Sequence, residues 1–354
     1  MSSTPPILVT GAAGFIGAEV CAVLTRAGCP VLGVDDLSAG AAGRLSDLPT
    51  ELFELVVGDV RDRALVSALL GERPRAVLHL AARVGVRTVL EDPEGCEQEN
   101  LEGVRVLAEE LRVAAAGGCV PRVVAASTSE VYAESGAPLG ETAPLRPARA
   151  EGRWRYAASK RRAEEILDDS GLTVRPLHLR FFNVVGPGQD ASSGMVLPRF
   201  VEAAREGRPL EVYGSGAQVR TFAHVDAVAR DIAALVAPRT LAPSRARTLG
   251  EASGALNVGG TARTTIAALA EVVVRLAGSS SEVQRRDPRR AVAANFEEVQ
   301  QRVPDLTRAR SLGLASSALG SEPWGLEALV EDTLRRHGAV GAAAAESVCA
   351  SRGS

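Results

Sequence analysis

The chain has 354 residues, of which 46% are hydrophobic and 23% charged, with a formal net charge of −3 and an isoelectric point of about 6.0. This length is enough for one large α/β domain or two closely packed ones, and the charge gives no sign of the basic surface that nucleic-acid binding requires. The five cysteines are scattered and form no C-x-x-C pair, which predicts a cytoplasmic protein with reduced thiols and no metal site. No apolar run reaches the roughly 18–20 residues that cross a bilayer, so no membrane span is predicted.

Short apolar runs alternate with helical patterns along the first half of the chain. Six strands are predicted, at 7–9, 31–34, 52–57, 76–80, 122–126 and 173–179, with helices between them at 63–71, 100–116 and 156–170. Strands that alternate with helices usually pair in parallel and carry helices on both faces of the sheet. The pattern therefore predicts an α/β fold built on a Rossmann-type doubly wound parallel sheet.

The alternation weakens beyond the sixth strand, where a stretch rich in Gly, Ser and Pro is typical of a loop. Further helices are predicted at 198–205, 226–236, 265–276 and 326–336, and strands at 210–213 and 256–258. We interpret residues 1–185 as a Rossmann domain to which 217–260 return, and residues 186–216 with 261–336 as a smaller, interleaved C-terminal lobe that binds substrate. Residues 337–354 are rich in Ala, Gly and Ser, and we expect a disordered tail.

A glycine-rich turn joins the first strand to the first helix. Gly11, Gly14 and Gly17 have the spacing G-x-x-G-x-x-G, which permits a tight turn and lets a pyrophosphate approach backbone amides at a helix N-terminus. Asp35 ends the second strand, where an acid binds the adenosine ribose hydroxyls and repels the 2′-phosphate of NADP, so NAD is the predicted cofactor. Asp59 follows the third strand and either accepts from the adenine amino group or is a solvated turn carboxylate.

The stretch from Ser127 to Lys160 contains the candidate acid/base groups. Tyr156 and Lys160 are four residues apart and lie on one face of a predicted helix. The ammonium can then lower the phenol pKa, so that the tyrosine acts as a base near neutral pH. The hydroxyl of Thr128 can complete a proton path, and Glu130 is a further acid/base candidate.

Together these motifs resemble the extended short-chain dehydrogenase/reductases of the sugar-nucleotide epimerase/dehydratase/decarboxylase group. The resemblance runs from about Ile7 to Arg336 and includes the runs TGAAGFIG, STSEVY, YAASK and RFFN. It implies NAD-dependent oxidation at C4 of a nucleotide-linked sugar, with a UDP-linked sugar as the expected substrate. Within that resemblance Tyr156 takes the proton of the 4-hydroxyl, Thr128 hydrogen-bonds this hydroxyl, and Lys160 binds the nicotinamide ribose.

The resemblance also implies the oligomeric state and the other site residues. Relatives usually form homodimers through two helices, which match 100–116 and 156–170. The first of these helices has an apolar stripe, which consists of Leu101, Val104, Leu107 and Leu111. This stripe either faces a partner subunit or packs on the sheet. Cofactor contacts are implied for Gly11, Gly14, Phe15, Ile16, Gly17, Asp35, Asp59, Val60, Leu80, Ala81, Ala82, Asn100, Tyr156, Lys160 and Phe182. Substrate contacts are implied for Ser129, Asn183, Val212, Tyr213, Arg220 and Glu298.

The resemblance also implies which part of the sugar nucleotide most of these residues contact. Asn183 and Arg220 face the phosphates, for which a guanidinium fork is well suited. Val212 and Tyr213 flank the base, and Glu298 either binds the nucleotide ribose or is a solvated helix carboxylate.

The residues after Thr128 discriminate among the reactions of this group. By resemblance, 4,6-dehydratases carry Asp-Glu at this point, whereas Ser129-Glu130 matches UDP-glucuronate decarboxylases, as does Arg153-Trp154 before Tyr156. The sequence therefore predicts NAD-dependent decarboxylation of UDP-glucuronate to UDP-xylose or its 4-keto precursor. The alternative is a UDP-sugar 4-epimerase, and a 4,6-dehydratase is disfavoured.

Overall fold

The computed structural model describes residues 4–237, 243–287, 299–314 and 325–336. Its strands are β1 (Ile7–Thr10), β2 (Val31–Asp35), β3 (Phe53–Val57), β4 (Ala76–His79), β5 (Arg122–Thr128), β6 (Leu177–Phe182), β7 (Val184–Val185), β8 (Leu210–Tyr213), β9 (Val219–His224), β10 (Gly254–Gly259), β11 (Ala262–Thr265), β12 (Val283–Arg286) and β13 (Gln301–Arg302). Its α-helices are α1 (Phe15–Arg26), α2 (Arg63–Gly71), α3 (Val86–Glu91), α4 (Pro93–Ala116), α5 (Arg155–Asp168), α6 (Val196–Arg205), α7 (Val225–Val236), α8 (Pro243–Gly250), α9 (Ile266–Ala277), α10 (Thr307–Ser311) and α11 (Leu326–Arg336).

Seven of these strands form one parallel sheet in the order β10-β6-β5-β4-β1-β2-β3. The chain order reverses at β1, which pairs with β2 on one side and with β4 on the other. This is the topology of a doubly wound Rossmann sheet, in which ligands bind outside the carboxyl ends of the strands at the point of reversal. The predicted α/β fold with a Rossmann-type parallel sheet is confirmed.

The central strand shows why the sheet has helices on both faces. Successive side chains of a strand point to opposite faces, and every residue of β1 is buried. Ile7 and Val9 belong to a core cluster with residues of α1 and α7, whereas Leu8 belongs to a second cluster with residues of α2 and α4. A strand buried on both faces needs a continuous apolar run, which explains why the first strand could be recognised from sequence.

Two predicted elements begin four or more residues away from their predicted start. The sixth strand was expected at 173–179 but begins at Leu177, directly after Pro176, which has no amide hydrogen to donate to a sheet. The helix expected from Asn100 begins at Pro93, because the Asp92 side chain caps it by accepting from the Gly95 amide.

The apolar stripe of α4 packs inside the chain. Leu107 and Leu111 lie in the core cluster with Leu8, and Val104 packs with Leu167 of α5. Leu101 is only 3% exposed. Of the two readings of this stripe, packing within one chain is therefore correct, and the stripe does not supply an exposed face for a partner subunit.

A smaller group of strands and helices lies beyond the large sheet. Strand β9 pairs with β7, β11 and β13, and β8 pairs with β12. Helices α6, α9 and α11 pack against these strands around a second core that contains Phe200, Phe222 and Leu269. Strand β10 returns to the large sheet beside β6. The predicted tail at 337–354 lies outside the described residues.

Candidate active site

The glycine turn presents open backbone amides at the N-terminus of α1. Gly14 is the N-cap residue and provides no side chain to cap the helix, so the amides of Phe15, Ile16 and Gly17 have no acceptor within the helix. Gly17 lies so close to the turn that a Cβ there would stand 2.0 Å from the Gly11 carbonyl oxygen. Backbone donors without a side chain above them form a site for an anion, and this arrangement fits the pyrophosphate of a dinucleotide.

Asp35 joins the end of β2 to this turn. Its Oδ2 accepts from the Ala13 amide at 2.9 Å, and its Oδ1 accepts from the Leu37 amide at 2.8 Å. Each carboxylate oxygen retains a second lone pair, which suits the hydroxyls of a ribose. The predicted position of Asp35 beside the glycine turn is thus present in the structure.

The loops after β3 and β4 place the remaining predicted cofactor residues. Asp59 forms a bidentate contact with Arg61, whose hydrogen bond is the main cause of the lowered Asp59 pKa. The Ala81 amide donates to Thr10 Oγ1 at 3.1 Å, and a Cβ on Gly11 would lie 2.8 Å from the Ala81 nitrogen. The turn and the loop at 80–82, which follows β4, therefore contact each other closely. Val60, after Asp59, is partly buried.

Asn100 supports that loop from α4. Its side chain accepts from the Arg83 amide at 2.7 Å and donates to the Arg83 carbonyl at 3.0 Å. In this structure Asn100 thus fixes the chain that follows Ala82. Phe182, another predicted cofactor residue, is fully buried in a core cluster with Tyr132 and Leu139.

The end of β5 carries the predicted hydroxyl and carboxylate. Thr128 is the last residue of the strand, and its Oγ1 accepts from the Glu130 amide at 3.2 Å. Ser129 and Glu130 form the start of a short 3₁₀ turn, in which Ser129 is buried. This turn directs the Glu130 side chain to a guanidinium from a distant part of the chain, since Arg302 Nη1 donates to Glu130 Oε1 at 2.9 Å.

Tyr156 and Lys160 lie one turn apart on α5, as predicted. Burial raises the pKa of Tyr156, and the neighbouring Glu130 and Cys96 raise it further. Burial lowers the pKa of Lys160 to about 8, and its Nζ donates to the Ala126 carbonyl at 3.3 Å. Burial is thus the largest cause of the raised Tyr156 pKa, and Lys160 is not among the causes. That Lys160 lowers this pKa stays a prediction.

The predicted substrate residues lie on β8, β9 and the chain after β6. Asn183 has a positive φ of 39° and donates from Nδ2 to the Thr221 carbonyl at 2.9 Å. Arg220 is the register partner of Arg302 across β9 and β13. The Arg199 guanidinium lies 4.8 Å from the centre of the Tyr213 ring, and its Nη2 donates to the Tyr213 hydroxyl at 2.9 Å.

Of two other predicted substrate residues, one packs in a core and one lies outside the described residues. The Val212 side chain is 1% exposed and packs in the second core, so it has little surface to offer a base. Glu298 lies outside the described residues. Within the described ranges, no three His, Cys, Asp or Glu side chains lie together in a way that would hold a metal ion, and no helix is long and apolar enough to cross a membrane.

Comparison with known proteins identifies the family. The model of the NAD dependent epimerase/dehydratase family matches residues 7–249. The chain belongs to this family. Membership agrees with the resemblance inferred from the glycine turn, Tyr156 and Lys160. The prediction that the cofactor is NAD is confirmed.

Relatives within the family carry out more than one reaction. A UDP-N-acetyl-alpha-D-glucosaminuronate decarboxylase from Bacillus cytotoxicus is 32% identical over 309 residues, which cover 86% of this chain and 90% of that protein. A UDP-glucuronate 4-epimerase from Thermodesulfobacterium geofontis is 34% identical over 248 residues, which cover 65% of this chain and 71% of that protein. The crystal structure of a UDP-glucose 4-epimerase from Brucella ovis in complex with NAD has 26% identity and a TM-score of 0.77, covering 95% of this chain and 99% of that one.

Arg302 is the site residue that sequence reasoning did not assign. It lies 172 residues after Glu130 and in a strand of only two residues, so no local periodicity marks it. The only available signal was the resemblance of the run from Arg302 to Asp305 to other members of the family. The structure places its guanidinium beside Glu130, the residue predicted to distinguish the reactions.

Proposed function

We propose that this enzyme decarboxylates a UDP-linked uronate, UDP-glucuronate or its 2-acetamido counterpart, through a 4-keto intermediate. The observation that carries the proposal is the ion pair between Glu130 and Arg302. Its side chains are 23% and 11% exposed, and its two atoms are 2.9 Å apart. The short turn that contains Glu130 packs against α5, the helix of Tyr156.

A guanidinium at this position favours a sugar acid over a neutral sugar. Arg302 has five N–H donors and Glu130 accepts from one nitrogen, so the group has further donors for a second carboxylate. The C6 carboxylate of a uronate would supply that anion, whereas the C6 hydroxyl of a hexose would not. Glu130 then lies near C5 and C6, where decarboxylation changes the bonding.

The chain's own residues provide the proton transfers. Tyr156 takes the proton of the 4-hydroxyl, and Thr128 orients this hydroxyl at the end of β5. The glycine turn and Asp35 would hold NAD, which would supply the hydride acceptor for C4 and a positive charge that favours the ionised form of Tyr156. With C4 a ketone, the C6 carboxylate is in the β position, and the C5–C6 bond breaks to release CO₂. The electron pair enters an enolate, and Glu130 is placed to direct the protonation of C5.

The similarity to the Bacillus cytotoxicus decarboxylase, which extends over 86% of the chain, supports this reaction. The second candidate is 4-epimerisation of a UDP-sugar, which the similarity to the Thermodesulfobacterium geofontis epimerase favours. An epimerase needs no acid or base at C5, so the two candidates differ in what they require of Glu130.

The test measures CO₂ and sugar products in the same reaction. The purified enzyme with NAD is incubated with UDP-glucuronate, its 2-acetamido counterpart and UDP-glucose, and the products are assigned by NMR. We expect CO₂ from one or both uronates and none from UDP-glucose. Formation of UDP-galacturonate without CO₂ would instead establish the 4-epimerase.

Three variants test the assignment of residues. Glu130→Gln should lower the rate of CO₂ release by roughly 10²–10⁴-fold, as expected for the loss of an acid/base group. Glu72→Gln, at an exposed carboxylate after α2, is the matched control and should leave the rate unchanged. Tyr156→Phe should abolish turnover while NAD still binds, and hydride transfer by this variant would refute its role as the base.

We further propose, from the family resemblance, that the enzyme is a cytoplasmic homodimer formed through faces of α4 and α5 other than the buried apolar stripe of α4. These two helices pack against each other within the chain and lie side by side. Light scattering at micromolar concentration should give twice the mass of the chain, and a monomer would exclude this arrangement.

A further inference from the structure

Asn257 is a buried side chain on β10 that the catalytic assignment does not use. It is 0% exposed. Its Oδ1 accepts from the Tyr132 hydroxyl at 2.7 Å, and its Nδ2 donates to the Leu139 carbonyl at 2.7 Å and the Asp305 carbonyl at 3.1 Å. Both hydrogens of the amide are thus engaged, so its orientation is fixed by three separate parts of the chain.

Two of those parts carry the Glu130–Arg302 pair. Tyr132 follows Glu130 by two residues, and Asp305 follows Arg302 by three residues. Both members of the ion pair are therefore connected, through short lengths of chain, to the same buried amide. The third part, Leu139, is bonded to the second by its main chain: its amide donates to the Val303 carbonyl at 2.8 Å, and the Asp305 amide donates to the Leu139 carbonyl at 2.9 Å.

The segment with Arg302 needs such an anchor. Strand β13 consists of Gln301 and Arg302 alone and pairs only with β9 among the described strands. So short a strand supplies few hydrogen bonds of its own. The contacts of Leu139 and Asn257 with 303–305 hold the chain immediately after it, and an unmade hydrogen bond to a buried carbonyl there would be costly.

We propose that Asn257 is a positioning residue that holds Glu130 and Arg302 in register and thereby sets the affinity for the sugar carboxylate. The proposal rests on the proposed function in one respect, that Arg302 faces a uronate. Asn257 is fully buried, so it has no exposed surface to offer to substrate or cofactor. It acts through the main chain at 132 and 305.

Asn257→Asp is the variant that tests this role. It keeps the shape and an acceptor for Tyr132, but it removes both N–H donors from the carbonyls of Leu139 and Asp305. Thr333→Val is the control for a general loss of stability, because it removes a buried hydrogen bond to Leu329 on α11, outside this network. Arg302→Gln, alone and combined with Asn257→Asp, completes a double-mutant cycle.

The measurement compares the affinities of the NAD-loaded protein for UDP-glucuronate and UDP by calorimetry. Asn257→Asp should weaken the affinity for UDP-glucuronate by roughly 2- to 150-fold, which is the range of coupling within one hydrogen-bond network. The affinity for UDP should not change. In the Arg302→Gln background Asn257→Asp should have no further effect. The proposal would be overturned if Asn257→Asp weakened the affinities for both ligands equally or had no effect on either. It would also be overturned if the effect on UDP-glucuronate affinity were the same in the Arg302→Gln background.

Hydrogen exchange of the protein without substrate is the second measurement. Asn257→Asp should accelerate exchange at 130–132 and 301–305 together, whereas Thr333→Val should not. Exchange that changes in neither segment would also overturn the proposal. The CO₂ assay is separate: a wild-type enzyme that releases no CO₂ but has these couplings would refute the decarboxylase and retain Asn257 as the positioning residue.

Discussion

A buried ion pair joins the helix of Tyr156 to the sheet, and its removal gives the sharpest test of the fold. Glu164 lies on α5 one turn after Lys160, and Arg180 lies on β6; they are 8% and 4% exposed. Arg180 Nε donates to Glu164 Oε1 at 2.9 Å and Nη2 donates to Oε2 at 2.6 Å. The Ser127 hydroxyl also donates to Oε1 at 2.5 Å.

Glu164→Gln leaves the Arg180 charge buried without its anion. Removing one partner of a buried pair costs about 3–5 kcal/mol, because the remaining charge is uncompensated. Arg180 retains a 3.3 Å hydrogen bond to the Glu141 carbonyl and lies 4.8 Å from the centre of the Tyr132 ring. These contacts partly compensate the charge, so we expect a loss near the lower limit, about 3 kcal/mol.

Urea unfolding of the cofactor-free protein measures this loss. The control is Glu165→Gln, at the neighbouring residue, which pairs with Arg161 on the surface and is 49% exposed. An exposed pair of this kind contributes only about 0.3–0.5 kcal/mol. The Glu164→Leu/Arg180→Met double variant should be more stable than the sum of its single changes implies. If Glu164→Gln costs no more than Glu165→Gln, the reasoning about the buried pair is refuted.

Three further changes test the turn, the lysine and one helix cap. Gly17→Ala should abolish NAD binding in a fluorescence titration, because its Cβ would lie 2.0 Å from the Gly11 oxygen. The Lys160 pKa falls from 10.5 to about 8 on folding, so the unfolded chain binds more protons than the folded chain between these pH values. The unfolding free energy of the wild type relative to Lys160→Met should therefore rise with pH in this range, by at most about 1.4 kcal/mol per pH unit. A difference that does not change with pH would contradict this. Asp62→Ala removes the cap on the Ala64 and Leu65 amides and should cost about 0.5–2 kcal/mol in urea unfolding.

The elements that sequence predicted best are those whose signals are local. Helix α2 and strand β8 have the predicted bounds, and β1, β2 and the glycine turn lie where the apolar runs and glycine spacing placed them. Strands β11, β12 and β13 were not predicted. Each has four residues or fewer, and it forms against a strand far away in sequence, so its own residues carry little periodicity.

The site was predictable only in part, for the same reason. Thr128 and the Tyr156/Lys160 pair belong to continuous motifs. The contact of Glu130 with Arg302 depends instead on the small sheet, which brings residues 172 positions apart to within 2.9 Å. The pKa of Tyr156 shows a related limit: helical spacing placed Lys160 nearby, but the burial that raises this pKa is a property of the folded chain.

The pairing of β9 with β13 gives a further argument for the proposed acidic sugar-nucleotide substrate. Arg220 and Arg302 are register partners on these parallel strands, so two guanidinium groups originate side by side. Like charges at adjacent positions of a sheet are unfavourable unless anions lie near them. Glu130 compensates Arg302 in part, and under the proposed function a diphosphate and a carboxylate would bring further anions to these two arginines. A neutral sugar nucleotide brings only the diphosphate, so selectivity for uronates should be lost in Arg302→Gln while affinity for UDP is retained.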